Sequence, residues 1–439
     1  MKTAIQNIYK SINKKKGGAS IIVWVFLALI FYNGNWHLRN YAPEKLKKEN
    51  IRYWSDAEGY YLYLPAIVNG SFENLPVKTT GKWIKPEGYT FTKYTYGVAL
   101  LEAPFFIVTH LIVKISAPEL ADGFTWPYQV MANIIAFFYG FLGMFYLFKL
   151  LRKKHSIFVC ALTVIGLMYG TNYFYYILRD PGATHIYAFF CVALLFWFIS
   201  SYYEHKKIKD LMVVSFLIAL TALMRPTNLI FVLFFLLWDV NNWKDLSDRF
   251  FYWLKNIKFL FISPLIFFAM YALQVYFWYM MSGETMIYSY EAGFDWSNPK
   301  IVHVLLHFEN GFLMYAPIMV LSIIGLFMGM LKEKNSLLIL VVFALMTYVF
   351  SCWVKWSFGG AFGYRPFLDF LPMFAIPLAY LFSYIFKNWK LPFQVLTVLF
   401  VGYLCKITLT FMKKMPGHLY ERPHYNWDSF LDLMERVWF

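Results

Sequence analysis

The chain has 439 residues, 60% of them hydrophobic and 22% aromatic, with 15% charged residues and a formal net charge of +15. A soluble protein averages about 45–50% apolar and about 25% charged residues, so a soluble nucleotide-sugar enzyme, a nucleic-acid binder and a disulfide-braced secreted domain are all excluded. What remains is an all-α integral membrane protein built around one membrane domain, its positive charge a signal of loops facing a cytoplasm.

A basic stretch (Lys10, Lys14, Lys15, Lys16) precedes an apolar run over 19–33. The flank that follows lacks the small residues of a cleavage site, which predicts an uncleaved signal anchor with residues 1–18 cytoplasmic. Residues 34–127 then form a long first extracytoplasmic loop carrying juxtamembrane helices. Further apolar segments long enough to span, or nearly so, occupy 128–150, 156–178, 183–203, 209–224, 226–240, 257–281, 308–331, 335–352, 367–386 and 391–412. The pattern predicts about 11 transmembrane helices in a polytopic catalytic domain at 19–412, and an extracytoplasmic tail at 413–439.

Segment 97–115 is the doubtful crossing, because one more span there would invert every later loop. It contains Glu102, Pro104, His110 and Lys114, costly content for a lipid-facing span. Reading it as a half-buried juxtamembrane helix leaves 20 Lys and Arg on the cytoplasmic side against 5 in the short outer loops, as the positive-inside rule requires. Cys160, Cys191, Cys352 and Cys405 all lie in apolar runs and read as small buried hydrophobes, without a disulfide framework.

Ionisable residues at helix mouths are expensive, and here they gather at the outer ends. Asp56 and Glu58 follow the first span in an aromatic setting, "YWSDAEGYYLYLP". A carboxylate there can act as general base, and a second can orient a substrate or a cation; a solvated loop acid is the plainer account. In "LRDPGATHIYAFF", Arg179 and Asp180 end one span and His185 enters the next. Asp180 can equally cap the incoming helix, and His185 can be a hydrogen-bonded core histidine. Arg225 and Pro226 break two short apolar stretches, so the turn sinks below the surface and Arg225 needs either an anionic partner or a snorkelling path to headgroups. Tyr364 and Arg365 lie in the glycine-rich loop "WVKWSFGGAFGYRPFLDFLP", where an Arg fork suits a phosphate. Lys82, Lys85 and Lys93 add positive charge near the same mouth, or form a solvated run. Walker loop, GxGxxG, HExxH, CxxC and GxSxG patterns are absent.

These motifs, in this order, resemble the GT-C superfamily of membrane glycosyltransferases, in particular the protein O-mannosyltransferases and the aminoarabinose-type lipid-linked sugar transferases. "SDAEGYY" is similar to the family's Asp-Glu motif with Ala57 between the acids, and "KYTYGVALLEAPFF" to its Tyr-Pro-x-Gly stretch with Thr95 in place of the proline. "LRDPGATH" matches a second acidic site in placement, while "ENGFLMYAP" and "GGAFGYRPFLDFLP" resemble later signatures. The resemblance implies transfer of a sugar from a polyprenyl-phosphate donor to a glycan, lipid or protein hydroxyl on the extracytoplasmic face of the plasma (inner) membrane, with inversion. Asp56 would be the base, Glu58 its companion acid, Arg365, Arg225 and Arg179 the phosphate partners, and Asp180 and His185 the groups that orient hydroxyls. No cofactor is expected, a divalent metal stays open, and no nucleic acid is implied as a partner. A polyprenyl-linked glycan ligase, a lipid or sugar flippase or transporter, and a non-catalytic membrane scaffold remain the alternatives.

Overall fold

The computed structural model describes residues 52–73, 75, 92–257, 261–286, 293–330, 332–359, 362–414 and 426–438. The expected span over 19–33, the segment 1–18, Lys82, Lys85 and part of the tail 413–439 lie outside the described residues. Among the described residues there is no β-strand.

Two short helices, α1 (Asp56–Tyr61) and α2 (Tyr63–Asn69), precede the long α3 (Gly97–Ser116) and α4 (Trp126–Leu151). The chain continues through α5 (Ile157–Gly170), α6 (Tyr173–Arg179), α7 (Thr184–His205) and α8 (Ile208–Met224). After a 3-10 turn at Pro226–Phe231 come α9 (Val232–Leu237), α10 (Trp243–Lys255) and α11 (Ile262–Ser282). The last part holds α12 (Ile301–Leu306), α13 (Phe312–Tyr315), α14 (Ile318–Gly329) and α15 (Ser336–Ser351). A second 3-10 turn, Arg365–Phe370, leads into α16 (Leu371–Asn388), then α17 (Leu391–Lys414) and α18 (Trp427–Trp438).

The protein is an all-α polytopic membrane protein, but helix length does not support a count of eleven spans. Among the described residues six helices are long and apolar enough to cross: α3, α4, α7, α11, α16 with its leading turn, and α17. The number is seven if α5 and α6, bent by 57° at their junction, form one span. The segments expected at 209–224, 226–240, 308–331 and 335–352 hold shorter helices, the longest of them the 17-residue α8, which reaches only ~26 Å at ~1.5 Å per residue against a hydrocarbon core of ~30 Å. The shortening has local causes: Pro226 follows Arg225 directly, and Ala316-Pro317 separates α13 from α14.

Helix α3 answers the composition argument against it. Its outer face is Ile107, Val108, Leu111, Ile112 and Ile115, all exposed, while Glu102 and His110 turn inward and Lys114 stays exposed in the last turn. Tyr187 donates its hydroxyl to Glu102 Oε1 at 2.5 Å, and His110 Nδ1 lies 2.7 Å from the Tyr128 hydroxyl.

The core forms around α7, packed on α4 and α8, and around α16, packed on α14 and α5. Of the apolar window in the α16 span 83% is buried, against 17% in α11, so α11 lies at the edge. A Cβ on Gly325 would stand 2.1 Å from the Pro377 carbonyl oxygen; only glycine lets the α14 and α16 backbones touch there. At one end of the bundle the basic turns meet. Lys153 pairs with Glu204 at 2.8 Å, Lys154 with Glu333 at 2.9 Å, and Asn335 accepts the Asp239 N–H at 2.7 Å. Asp56, Asp180, Arg225 and Arg365 belong to the opposite helix ends.

Candidate active site

Asp56 opens α1 and is held on both carboxylate oxygens. The Tyr94 hydroxyl donates to Oδ1 at 2.5 Å, and Arg365 Nη2 stands 3.3 Å from Oδ2. Three local features bring these groups together. Gly59, one turn on from Asp56, packs so closely that a Cβ there would be 2.4 Å from Tyr94 Cδ2. The Thr92 hydroxyl donates to the Gly59 carbonyl at 2.8 Å, which lays the 92–96 segment along α1. On the far side Gly363, at φ 63°, turns the chain into the Arg365 turn while packed against Tyr315 and Asn172.

The Asp56 side chain is 37% exposed, at the rim of an otherwise enclosed site. Desolvation works to raise its pKa, but the Arg365 charge, the Tyr94 hydrogen bond, Lys93 and His185 outweigh it and leave the carboxyl below its usual range. Lys93 contributes from above the Tyr94 ring, with Nζ 5.4 Å from the centroid. Asp180 goes the other way. Burial raises it, Arg365 pulls it down and the charge of Asp56 pushes it up again, leaving it at about 7. Two carboxyls that share one guanidinium are thus separated in basicity, the pattern that lets one stay ionised while its neighbour keeps a proton.

Behind this pair lies a second cluster centred on Asp369, which is 0% exposed. His185 Nδ1 stands 2.8 Å from Asp369 Oδ1, Asn228 Nδ2 donates to Oδ2 at 2.9 Å, and Arg225 Nε lies 3.8 Å from Oδ2. Arg225 Nη1 is also 3.1 and 3.3 Å from the two ring nitrogens of His185. A buried carboxylate with a cation and two further partners is compensated, whereas an isolated one would be prohibitively costly. Asp369 is the anionic partner that a sunken Arg225 requires. The clusters act on each other, since Arg365 lies in the field of His185 and His185 in that of Asp56.

The remaining candidates lie elsewhere. Glu58 is two residues along α1 from Asp56, hence on the opposite side of the helix, and is 2% exposed where Asp56 reaches the rim; the two acids are not a pair. Tyr364 is 2% exposed within an aromatic group, its ring 5.5 Å from Phe367 and 5.7 Å from Phe358. The Arg179 guanidinium lies 5.7 Å from the Tyr175 ring centroid. Sequence reasoning missed Tyr94, Asn228 and Asp369. Tyr94 stands inside the stretch quoted for the family resemblance, while Asp369 hides in the apolar start of a predicted span. Among the described residues no three His, Cys, Asp or Glu side chains come together as they would around a metal ion.

No protein-family model and no curated protein matches the chain. Solved structures do match it. ArnT from Cupriavidus metallidurans bound to undecaprenyl phosphate superposes with a TM-score of 0.51 at 12% identity, over 90% of this chain and 65% of that one. The chain shares the fold of this ArnT structure. Apo ArnT from the same organism gives a TM-score of 0.49 at 12% identity, over 90% of this chain and 64% of ArnT. The chain therefore spans just under two thirds of the length of the ArnT structures.

Proposed function

We propose that the protein is a membrane glycosyltransferase that moves a sugar from a polyprenyl-phosphate donor to an acceptor hydroxyl on the extracytoplasmic face of the plasma (inner) membrane. The reading rests chiefly on one observation: an ionised carboxylate, Asp56, sits beside a guanidinium, Arg365, at the end of the bundle away from the basic turns. The fold shared with ArnT, and a lipid phosphate bound to that ArnT, agree with it. In the topology that goes with this proposal there are eleven spans, α3 is juxtamembrane, and the basic turns face the cytoplasm.

Asp56 takes the proton of the acceptor hydroxyl as its oxygen attacks the anomeric carbon. The bond from that carbon to the donor phosphate oxygen breaks with its electron pair leaving on the phosphate, and the configuration inverts. Arg365 takes up the charge of the leaving lipid phosphate, with Lys93 adding to the field. A phosphate is a stronger partner for the guanidinium than one carboxylate, so donor binding draws Arg365 from Asp56 and raises the basicity of Asp56 as the acceptor arrives. Asp180, in its protonated form, donates to a sugar or acceptor oxygen. Asp369 keeps His185 and Arg225 in place behind the sugar. The donor lacks a nucleotide diphosphate, so the reaction is written without a metal.

The test is transfer of radiolabelled sugar from a panel of polyprenyl-phosphate hexoses and pentoses in membranes carrying wild-type protein or Asp56→Asn at matched expression. Label that reaches an acceptor with the wild type and not with the variant supports the reading. Equal labelling removes Asp56 as base, and no labelling from any donor turns attention to a flippase or transporter.

A further inference from the structure

Gln274 is fully buried midway along α11, the loosely packed helix at the edge of the bundle. Its amide is satisfied at both ends, once by the segment that carries Tyr94 and once by Tyr63 of α2. Oε1 accepts the backbone N–H of Tyr96 at 2.9 Å, and Nε2 donates to the Tyr63 hydroxyl at 3.0 Å. That hydroxyl donates in turn to the Tyr94 carbonyl at 2.6 Å, and the Tyr94 side chain reaches Asp56. Two more contacts from α11 hold the same segment: the Tyr96 hydroxyl donates to the Met270 carbonyl at 3.1 Å, and Phe277 meets the rings of Tyr63 and Tyr96 with centroids 5.2 and 5.6 Å away.

An amide offers donors and an acceptor on one rigid, neutral plane. In an apolar helix it is tolerated only when both are used. A leucine here would pack as well against Tyr63 and Phe277 but could not fix the height of the 94–96 backbone. We propose that Gln274 is a positioning residue that sets the Asp56 carboxylate through Tyr63, Tyr96 and Tyr94, coupling an edge helix to the reacting group. The inference rests on the reading of Asp56 as the base. If Gln274 moves, the Tyr94 hydroxyl loses its aim, and Asp56 loses a donor that favours its ionised form.

The experiment is an infrared titration of the Asp56 carboxylate in full-length protein in lipid nanodiscs, the band identified by its loss in Asp56→Asn. Wild type is compared with Tyr94→Phe, Gln274→Leu, Tyr63→Phe and the double variant Gln274→Leu/Tyr94→Phe, with folding checked by thermal melting. Tyr94→Phe is expected to raise the midpoint by about half to one pH unit, the worth of one hydrogen bond. Gln274→Leu and Tyr63→Phe should shift it the same way, and the double variant no further than Tyr94→Phe alone. If Tyr94→Phe leaves the midpoint in place, or shifts it while folded Gln274→Leu or, should that variant fail to fold, Tyr63→Phe does not, the proposal is overturned. The transfer assay run alongside should show Gln274→Leu lowering kcat several-fold with the donor KM unchanged. Wild-type protein that transfers no sugar would remove the functional reading, while the titration still decides the role of Gln274.

Discussion

Arg365 Nη2 stands 3.3 Å from Asp56 Oδ2, and the same guanidinium influences Asp180. A cation divided between two acids is available to a third anion. Arg365→Ala is therefore expected to lower sugar transfer by about 10²–10³-fold, the usual cost of losing one transition-state charge partner. Arg365→Lys should recover only part of this, because a point charge cannot serve two oxygens at once. Steady-state transfer assays on the two variants check both statements.

The pH profile carries a second prediction. Asp56 is held below its usual range and must be ionised, so kcat/KM for the donor rises with pH along a limb below that range. In the donor complex Arg365 is drawn to phosphate, and the same limb in kcat should lie higher. Asp180, at about 7, keeps its proton below that pH and loses it above. Ionising it puts a second negative charge beside Asp56 and removes a hydrogen-bond donor, so activity falls as pH rises through about 7. In Asp180→Asn this alkaline limb should vanish.

Asp369 supports stability more directly. Replacing it by leucine leaves Arg225 and His185 buried without their anion, at a cost of roughly 3–5 kcal/mol. A lowered melting temperature in detergent, larger for Asp369→Leu than for Asp369→Asn, is the expected result.

Two glycines separate geometry from fold. Gly59→Ala puts a methyl 2.4 Å from the Tyr94 ring position, which must swing away from Asp56, so transfer should fall several-fold while the protein still folds. Gly70→Ala faces open space at φ 71° and should cost only about 1–2 kcal/mol of stability, with transfer unchanged. The pair of activities, normalised to folded protein, checks both.

Much of the fold is legible from hydropathy, because apolar segments long enough to span have few alternatives to a helix. Each predicted span within the described residues contains one, from α4 (Trp126–Leu151) to α17 (Leu391–Lys414). Helix length alone does not support the count of eleven spans, since hydropathy averages over breaks such as Arg225-Pro226 and Ala316-Pro317 that decide how far a helix reaches. Within the site, cost was the useful signal: Asp56, Asp180, His185, Arg225 and Arg365 are expensive where they stand, and the structure gathers them. Partnership was not legible. Glu58 adjoins Asp56 in sequence and faces away, while Asp369 and Tyr94 lie far off and touch the key groups. Gln274 looks like any neutral residue in a span until its bonds to the Tyr96 N–H and the Tyr63 hydroxyl are seen.

The four breaks in helical order meet at one end of the bundle. Asn172, in the bend between α5 and α6, donates to the Phe362 carbonyl at 3.2 Å; Gly363 packs on Tyr315 beside the Ala316-Pro317 break; and Arg225 faces Asp369 in the turn before α16. Non-helical backbone is tolerated at membrane depth only where protein buries it or water reaches it, and here the breaks cover one another. Under the proposed function a polar acceptor would enter this end from the water above, while the lipid-linked donor would come sideways through the lipid.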